Sequence, residues 1–174
     1  EAFRLGLSVE VADAIFGRPL GIPKTGVFGL YDLIGIDLMS DVLKSLLREL
    51  PKEDIFHVVG QELPLIKKLI EGGYTGRKGK GGFFRLNKTG DKKVLESLDY
   101  KNHTYHPSIK VDLNLPEFMD VKTILAREDI YSEYAWNILK KTILYAASLV
   151  PEVTENFNDI DDAMKCGFNW EKGP

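Results

Sequence analysis

The chain has 174 residues, 44% of them hydrophobic and 28% charged, with a formal net charge of −3, enough for one ordinary domain or two small ones around a buried core. That balance gives no chain-wide attraction to nucleic acid or to an anionic membrane surface, and no apolar run approaches the roughly 18 residues that a membrane helix needs. The single cysteine, Cys166, cannot form an intrachain disulfide, and the cytoplasm is the default location.

The chain opens on Glu1 without a basic-then-apolar leader. Its first residues read as the tail of a helix already under way, so a piece of a longer polypeptide is expected. Ser8 is placed to cap a short helix over Val9 to Phe16, which Gly17 and Arg18-Pro19 stop. A loop punctuated by glycine and proline then runs to Gly26. From Phe28 the apolar positions Leu30, Ile34, Leu38, Val42, Leu46 and Leu47 recur at three- and four-residue spacing, which predicts a long helical stretch ending at Pro51. The spacing tightens near Gly35, where the helix is expected to stop and restart with Asp37 as its cap. Leu63 to Ile70 predicts an amphipathic helix closed by Gly72-Gly73.

Between Gly73 and Pro107 the texture changes. Phe83 to Leu86 precedes the turn-rich tetrad Asn87-Lys88-Thr89-Gly90, and Val94 to Tyr100 follows, which predicts a small β-hairpin or an irregular excursion. The helical signal returns at Leu115. Ala135, Trp136, Leu139, Ile143, Ala146 and Val150 mark a stripe expected to be buried on a helix that Pro151 terminates. Asn158 or Asp159 is the expected cap of a last helix through Met164, with Gly167 after it. The expected fold is a mainly α helical bundle with one minor β element.

The chain also resembles itself. Val11-Ala12-Asp13-Ala14-Ile15 parallels Ile160-Asp161-Asp162-Ala163-Met164, and each run leads through a glycine-containing loop to Lys24-Thr25-Gly26 or to Lys172-Gly173-Pro174. Ala2 and Leu5 parallel Ala146 and Leu149. A first helical repeat over 1–107, holding the glycine-rich and β excursion, and a second, truncated repeat over 108–174 are therefore expected.

Phe16 to Asp37 carries the strongest run of a wider likeness, Gly26-Val27-Phe28-Gly29-Leu30-Tyr31-Asp32-Leu33-Ile34-Gly35-Ile36-Asp37. It resembles the stretch Gly-Pro-Phe-Glu-Leu-x-Asp-x-x-Gly-Leu-Asp of the C-terminal domain of 3-hydroxyacyl-CoA dehydrogenases, in the duplicated form found in long fatty-acid β-oxidation enzymes. Gly26, Phe28, Leu30, Asp32, Gly35 and Asp37 match, while Val27 and Gly29 replace the usual proline and glutamate. Gly73 to Phe84 is similar to that family's Gly-x-x-Gly-Arg-Lys-x-Gly-Lys-Gly-Phe-Tyr, with the centre permuted. Asn158 to Pro174 resembles the start of the same domain again.

The resemblance implies oxidation of a 3-hydroxyacyl-CoA by hydride transfer to NAD. It also implies that the His-Glu pair, the neighbouring serine and a catalytic asparagine lie outside this stretch. No strand followed by Gly-x-Gly-x-x-Gly and a helix occurs here, so no catalytic residue is expected in the chain, no NAD bound by it, and no dehydrogenase activity from it alone. The Arg18 to Gly26 loop, by the same resemblance, forms part of the wall against which acyl-CoA is held. Lys24 and Gly26 are then substrate-side residues, with Phe28 as an apolar contact. The partners implied are acyl-CoA and a Rossmann domain. A stand-alone helical interaction module is the competing reading.

Other residues invite chemistry less firmly. His103-x-x-His106 has ligand-like spacing, but no cysteine or carboxylate cluster accompanies it, and no metal site is expected. Arg77, Lys78 and Lys80 among glycines suit either a solvated basic turn or contact with a CoA phosphate. Because subunits of single-copy family members associate through this domain, a duplicated chain can cover the same surface internally, or form a homo-oligomer. Self-association is expected to involve Trp136, Leu139, Phe168 and Trp170.

Overall fold

The computed structural model describes residues 1–89, 92–114 and 121–174. The expectation attached to Leu115 lies outside them. The chain is mainly α with one three-stranded antiparallel sheet, and it divides by packing into two units, residues 1–26 with 111–174, and residues 27–110. Division by packing thus differs from the expected division by repeat at 107, because the first 26 residues pack with the last part of the chain.

In the first unit, α1 (Ala2–Leu5) ends on Gly6 in the left-handed region, and α2 (Val9–Ile15) begins at Ser8, whose hydroxyl accepts from the Val11 amide at 3.3 Å. A 3-10 turn over Arg18–Leu20 has its proline near the start, where a missing amide costs nothing. The short helix α7 (Val121–Leu125) leads to α8 (Ile130–Ser148). Asp129 caps α8, accepting from the amides of Tyr131 and Ser132, and Ser132 Oγ accepts in return from the Asp129 amide. The core gathers Val9, Ala12, Ile15 and Phe16 of the α2 segment with Ile124, Tyr134, Ala135 and Leu139, and Phe16 meets Tyr134 edge to face at 6.4 Å.

Two expectations are corrected in this unit. The buried stripe of α8 runs through Tyr134, Ala135 and Leu139, while Trp136 and Ile143 are 49% and 42% exposed. At 3.6 residues per turn, Trp136 lies about 100° around the helix from Ala135 and so leaves the core face. Second, α9 spans Phe157–Phe168 and is capped by Asn156, whose side chain accepts from the Asn158 amide at 3.1 Å. The Asn156 carboxamide provides the acceptor two residues before the nearer of the expected caps. Asn169 in the left-handed region, rather than Gly167, ends the helix.

The second unit contains the rest of α3 (Gly26–Ile34), then α4 (Ile36–Glu49), α5 (Phe56–Val59) and α6 (Pro64–Glu71). The break between α3 and α4 falls where expected. The cap, however, is Gly35 at φ 116, and Asp37 stands in the first turn, where its carboxylate meets Lys78 Nζ at 2.8 Å. The hairpin forms from β1 (Phe84–Thr89) and β2 (Lys92–Asp99), in register Phe84 to Ser97 through Thr89 to Lys92. Asn87, Lys88 and Thr89 were expected as turn and lie in β1, since pairing with β2 carries the strand onward; Gly90 lies outside the described residues. A third strand, β3 (Thr104–Pro107), pairs antiparallel with β2. Four residues of mixed polarity ending on a proline gave it no periodic signal. Among the described residues no helix is long and apolar enough to cross a membrane.

Candidate functional site

The loop after α2 is set by its own backbone. Leu20 and Ile22 donate to Gly17 O at 2.9 and 3.1 Å, and Gly26 donates to Pro23 O at 3.2 Å. Gly26 sits at φ 69 so close to Asp13 that a Cβ would overlap the carboxylate, and only glycine meets both demands. The loop carries Lys24 into an open cleft of about 280 Å³ whose lining includes Asp13, Arg18, Lys24 and Asp112. Two cations and two carboxylates at one mouth can orient a polar group through charge-assisted hydrogen bonds, with no net preference for either sign of charge. Lys24 and Gly26 therefore share one loop of the first unit. Phe28 belongs to the second, where its ring packs edge to face on Phe83 at 4.6 Å.

The glycine-rich run after α6 is organised by Asp32, a residue that the sequence offered only as a motif match. Asp32 is 3% exposed on α3, and its two carboxylate oxygens accept from the amides of Phe83 at 2.8 Å and Phe84 at 2.6 Å. Its backbone oxygen accepts from the Arg77 amide at 2.8 Å. Gly82 must be glycine here, because a Cβ would overlap Asp32 Oδ1. Burial is the largest influence on this carboxyl and pushes it up to about 6, against the opposing pull of the Phe84 and Phe83 amides and of Arg77. A usable signal existed in the sequence: Phe28 and Asp32 are four residues apart on one face of an apolar helix, and a carboxylate there must find donors.

This settles what the basic loop does with its amides. Those of Gly76, Arg77, Gly79, Lys80 and Gly82 all donate within the protein, to Gly81, Asp32, Gly76, Gly73 and Phe84 oxygens respectively. A phosphate cradle needs such groups unengaged and convergent. Of the side chains, Lys78 pairs with Asp37, and Lys80 donates to Gly72 O at 3.0 Å. The Lys78–Asp37 pair is half exposed, a setting in which ion pairs contribute about 0–1 kcal/mol. Lys78→Ala should accordingly shift the urea midpoint by no more than the equivalent of about 1 kcal/mol. A larger loss would mean that the pair organises the loop.

The histidines do not converge. His57 Nε2 lies 2.9 Å from Pro51 O, and His106 Nδ1 lies 3.2 Å from Pro107 O. His103 stands apart at the edge of a separate cleft. Among the described residues no three His, Cys, Asp or Glu side chains are grouped to hold a metal. Asp162 pairs with Lys165 at 3.0 Å one turn along α9.

Residues 2–86 match the family model described as "3-hydroxyacyl-CoA dehydrogenase, C-terminal domain". Over all 174 residues the chain is 41% identical to the "Putative fatty acid oxidation complex trifunctional enzyme" of Rickettsia prowazekii (strain Madrid E), covering 24% of that protein. It is 42% identical over 168 residues to the protein of the same description in Rickettsia felis (strain ATCC VR-1525 / URRWXCal2), covering 97% of this chain and 23% of the relative. The "Probable 3-hydroxyacyl-CoA dehydrogenase" of Bacillus subtilis (strain 168) is 28% identical over 184 aligned positions, which take in this whole chain and 22% of the relative. The chain thus spans about a quarter of the length of these curated relatives. No solved structure matches it.

Proposed function

We propose that the chain, whose residues 2–86 match the model of 3-hydroxyacyl-CoA dehydrogenase C-terminal domains, is the substrate-side region of an enzyme that oxidises 3-hydroxyacyl-CoA with NAD in fatty-acid oxidation. The observation that carries this is an identity of 41% running the length of the chain with a relative described as a fatty acid oxidation complex trifunctional enzyme. The residues described here do not fit NAD itself. In the glycine-rich run after α6 the amides of Gly76, Arg77, Gly79, Lys80 and Gly82 are engaged internally, and the sequence has no strand, Gly-x-Gly-x-x-Gly and helix unit. NAD and the hydride transfer are therefore assigned to a separate Rossmann domain, with the cytoplasm as the compartment.

In this reading the Arg18 to Gly26 loop contributes Lys24 to the acyl-CoA side, Gly26 fixes the loop's path, and Phe28 supplies an apolar contact. The duplication belongs to the same proposal, with repeats over 1–107 and 108–174. Helices α2 and α9 support it: each is capped by a polar side chain, Ser8 or Asn156, and each carries an aspartate five residues beyond its cap, Asp13 or Asp161. Each aspartate lies against a glycine of the following loop, Gly26 or Gly173, too closely for a Cβ. The two loops also meet, the Glu171 amide donating to Gly21 O at 2.8 Å. Association of two copies of the chain would use the exposed Trp136 and Phe168; Leu139, expected among them, is buried in the first unit.

The assignment of site residues is tested in a polypeptide that joins this chain to a Rossmann domain. Lys24→Ala should raise KM for a 3-hydroxyacyl-CoA about tenfold, the scale of one lost charge-assisted contact, with kcat little changed. Phe28→Ala should raise it as well. Unchanged KM in both variants would remove these residues from the substrate side.

A further inference from the structure

The second unit holds a cleft of about 660 Å³ formed by α6 and the β2–β3 face. Its floor is apolar, with Leu69 and Leu98 only 6% and 2% exposed and Leu65 beside them. One wall is fixed in advance. Tyr105 stacks on Tyr74 with ring centroids 5.6 Å apart, the Arg85 guanidinium lies 3.9 Å from the Tyr105 ring centre, and the Tyr105 hydroxyl donates to Gly82 O at 2.5 Å. A wall held from three directions does not have to be ordered when a ligand arrives.

The charged groups around this cleft differ in how far they are engaged. Arg85 is paired with Glu96 at 2.6 Å, and Glu71, the one carboxylate among the lining residues, lies 4.0 Å from Lys67 Nζ outside the cleft. Lys68 and His103 also line the cleft, and neither makes a side-chain hydrogen bond or ion pair among the described residues. The surrounding residues 27–110 hold 14 Lys and Arg against 11 Asp and Glu, in a chain that is negative as a whole. An apolar floor beside two unengaged basic groups suits one chemistry, an apolar chain ending in an anion. We infer that this cleft binds an amphiphilic anion, its apolar chain on Leu65, Leu69 and Leu98 and its carboxylate or phosphate head at Lys68 and His103. The inference stands independently of the dehydrogenase reading, which makes no use of these residues.

The test is a titration of the chain with decanoate, decyl phosphate and decanol below their aggregation thresholds, followed by amide chemical shifts in two-dimensional NMR. Either anion should shift the amides of residues 65–74 and 98–105, and the tighter of the two identifies the head group. Decanol should bind about tenfold more weakly, and Lys68→Gln, an exposed substitution, should weaken the tighter anion about tenfold. Adding His103→Gln to Lys68→Gln, as a double variant, should weaken it further. Shifts centred on the exposed apolar residues Leu38, Val42 and Leu46 instead, decanol binding as tightly as the anions, or anion affinity unchanged in the double variant would each overturn the inference.

Discussion

Asp32→Ala is expected to destabilise the chain by about 3–5 kcal/mol, because it leaves the buried amides of Phe83 and Phe84 without their acceptors and opens a void between α3 and the strand entry. Each unsatisfied buried donor costs about 1–3 kcal/mol, so the sum exceeds what an ordinary surface change produces. Asn at this position keeps one acceptor but points an amide group at the second donor, so Asp32→Asn should lose stability as well. The pH dependence follows from the direction of the shift. Burial raises this carboxyl to about 6 in the folded chain, whereas an aspartate in an unfolded chain titrates near 3.9. The folded state therefore holds the proton more tightly, and that contribution is complete below about pH 4 and lost as pH rises through about 6. Relative to Asp32→Asn, which does not titrate, the native chain should be favoured most near pH 4, and the gap in urea midpoints should narrow toward pH 7. A gap that widens with pH would mean that the two amide donors outweigh burial.

Most helices were legible because each carries a period and a stop. Ser8 before Val9 marked α2, the recurrence from Leu38 to Leu46 marked α4, and Pro151 closed the region of α8. Where the sequence misled, a competing local interaction prevailed. The carboxamide of Asn156 captured the start of α9, and cross-strand pairing drew Asn87 to Thr89 into β1. On α8 the burial of Tyr134 turned Trp136 outward, a choice between adjacent apolar residues that periodicity alone does not make. The site was legible unevenly. Lys24 and Gly26 were candidates through the family resemblance alone, whereas the engagement of the Phe83 and Phe84 amides by Asp32 depends on residues about 50 positions apart and became visible only in three dimensions.

The second large effect concerns catalysis and is close to all-or-none. Hydride transfer requires a bound dinucleotide and an acid/base pair, and the residues described here present neither a dinucleotide-binding unit nor a histidine paired to a carboxylate. The structure nevertheless presents the loop bearing Lys24 with its path fixed by Gly26 against Asp13. The chain on its own should therefore leave NAD oxidised, whereas the same residues joined to a Rossmann domain should support turnover. The most direct measurement is NADH formation from NAD and a 3-hydroxyacyl-CoA, made side by side with the chain alone, a Rossmann domain alone and the two in one polypeptide. The account predicts NADH above the blank only from the joined polypeptide; turnover by the chain alone, or by the Rossmann domain alone at the joined rate, would contradict it.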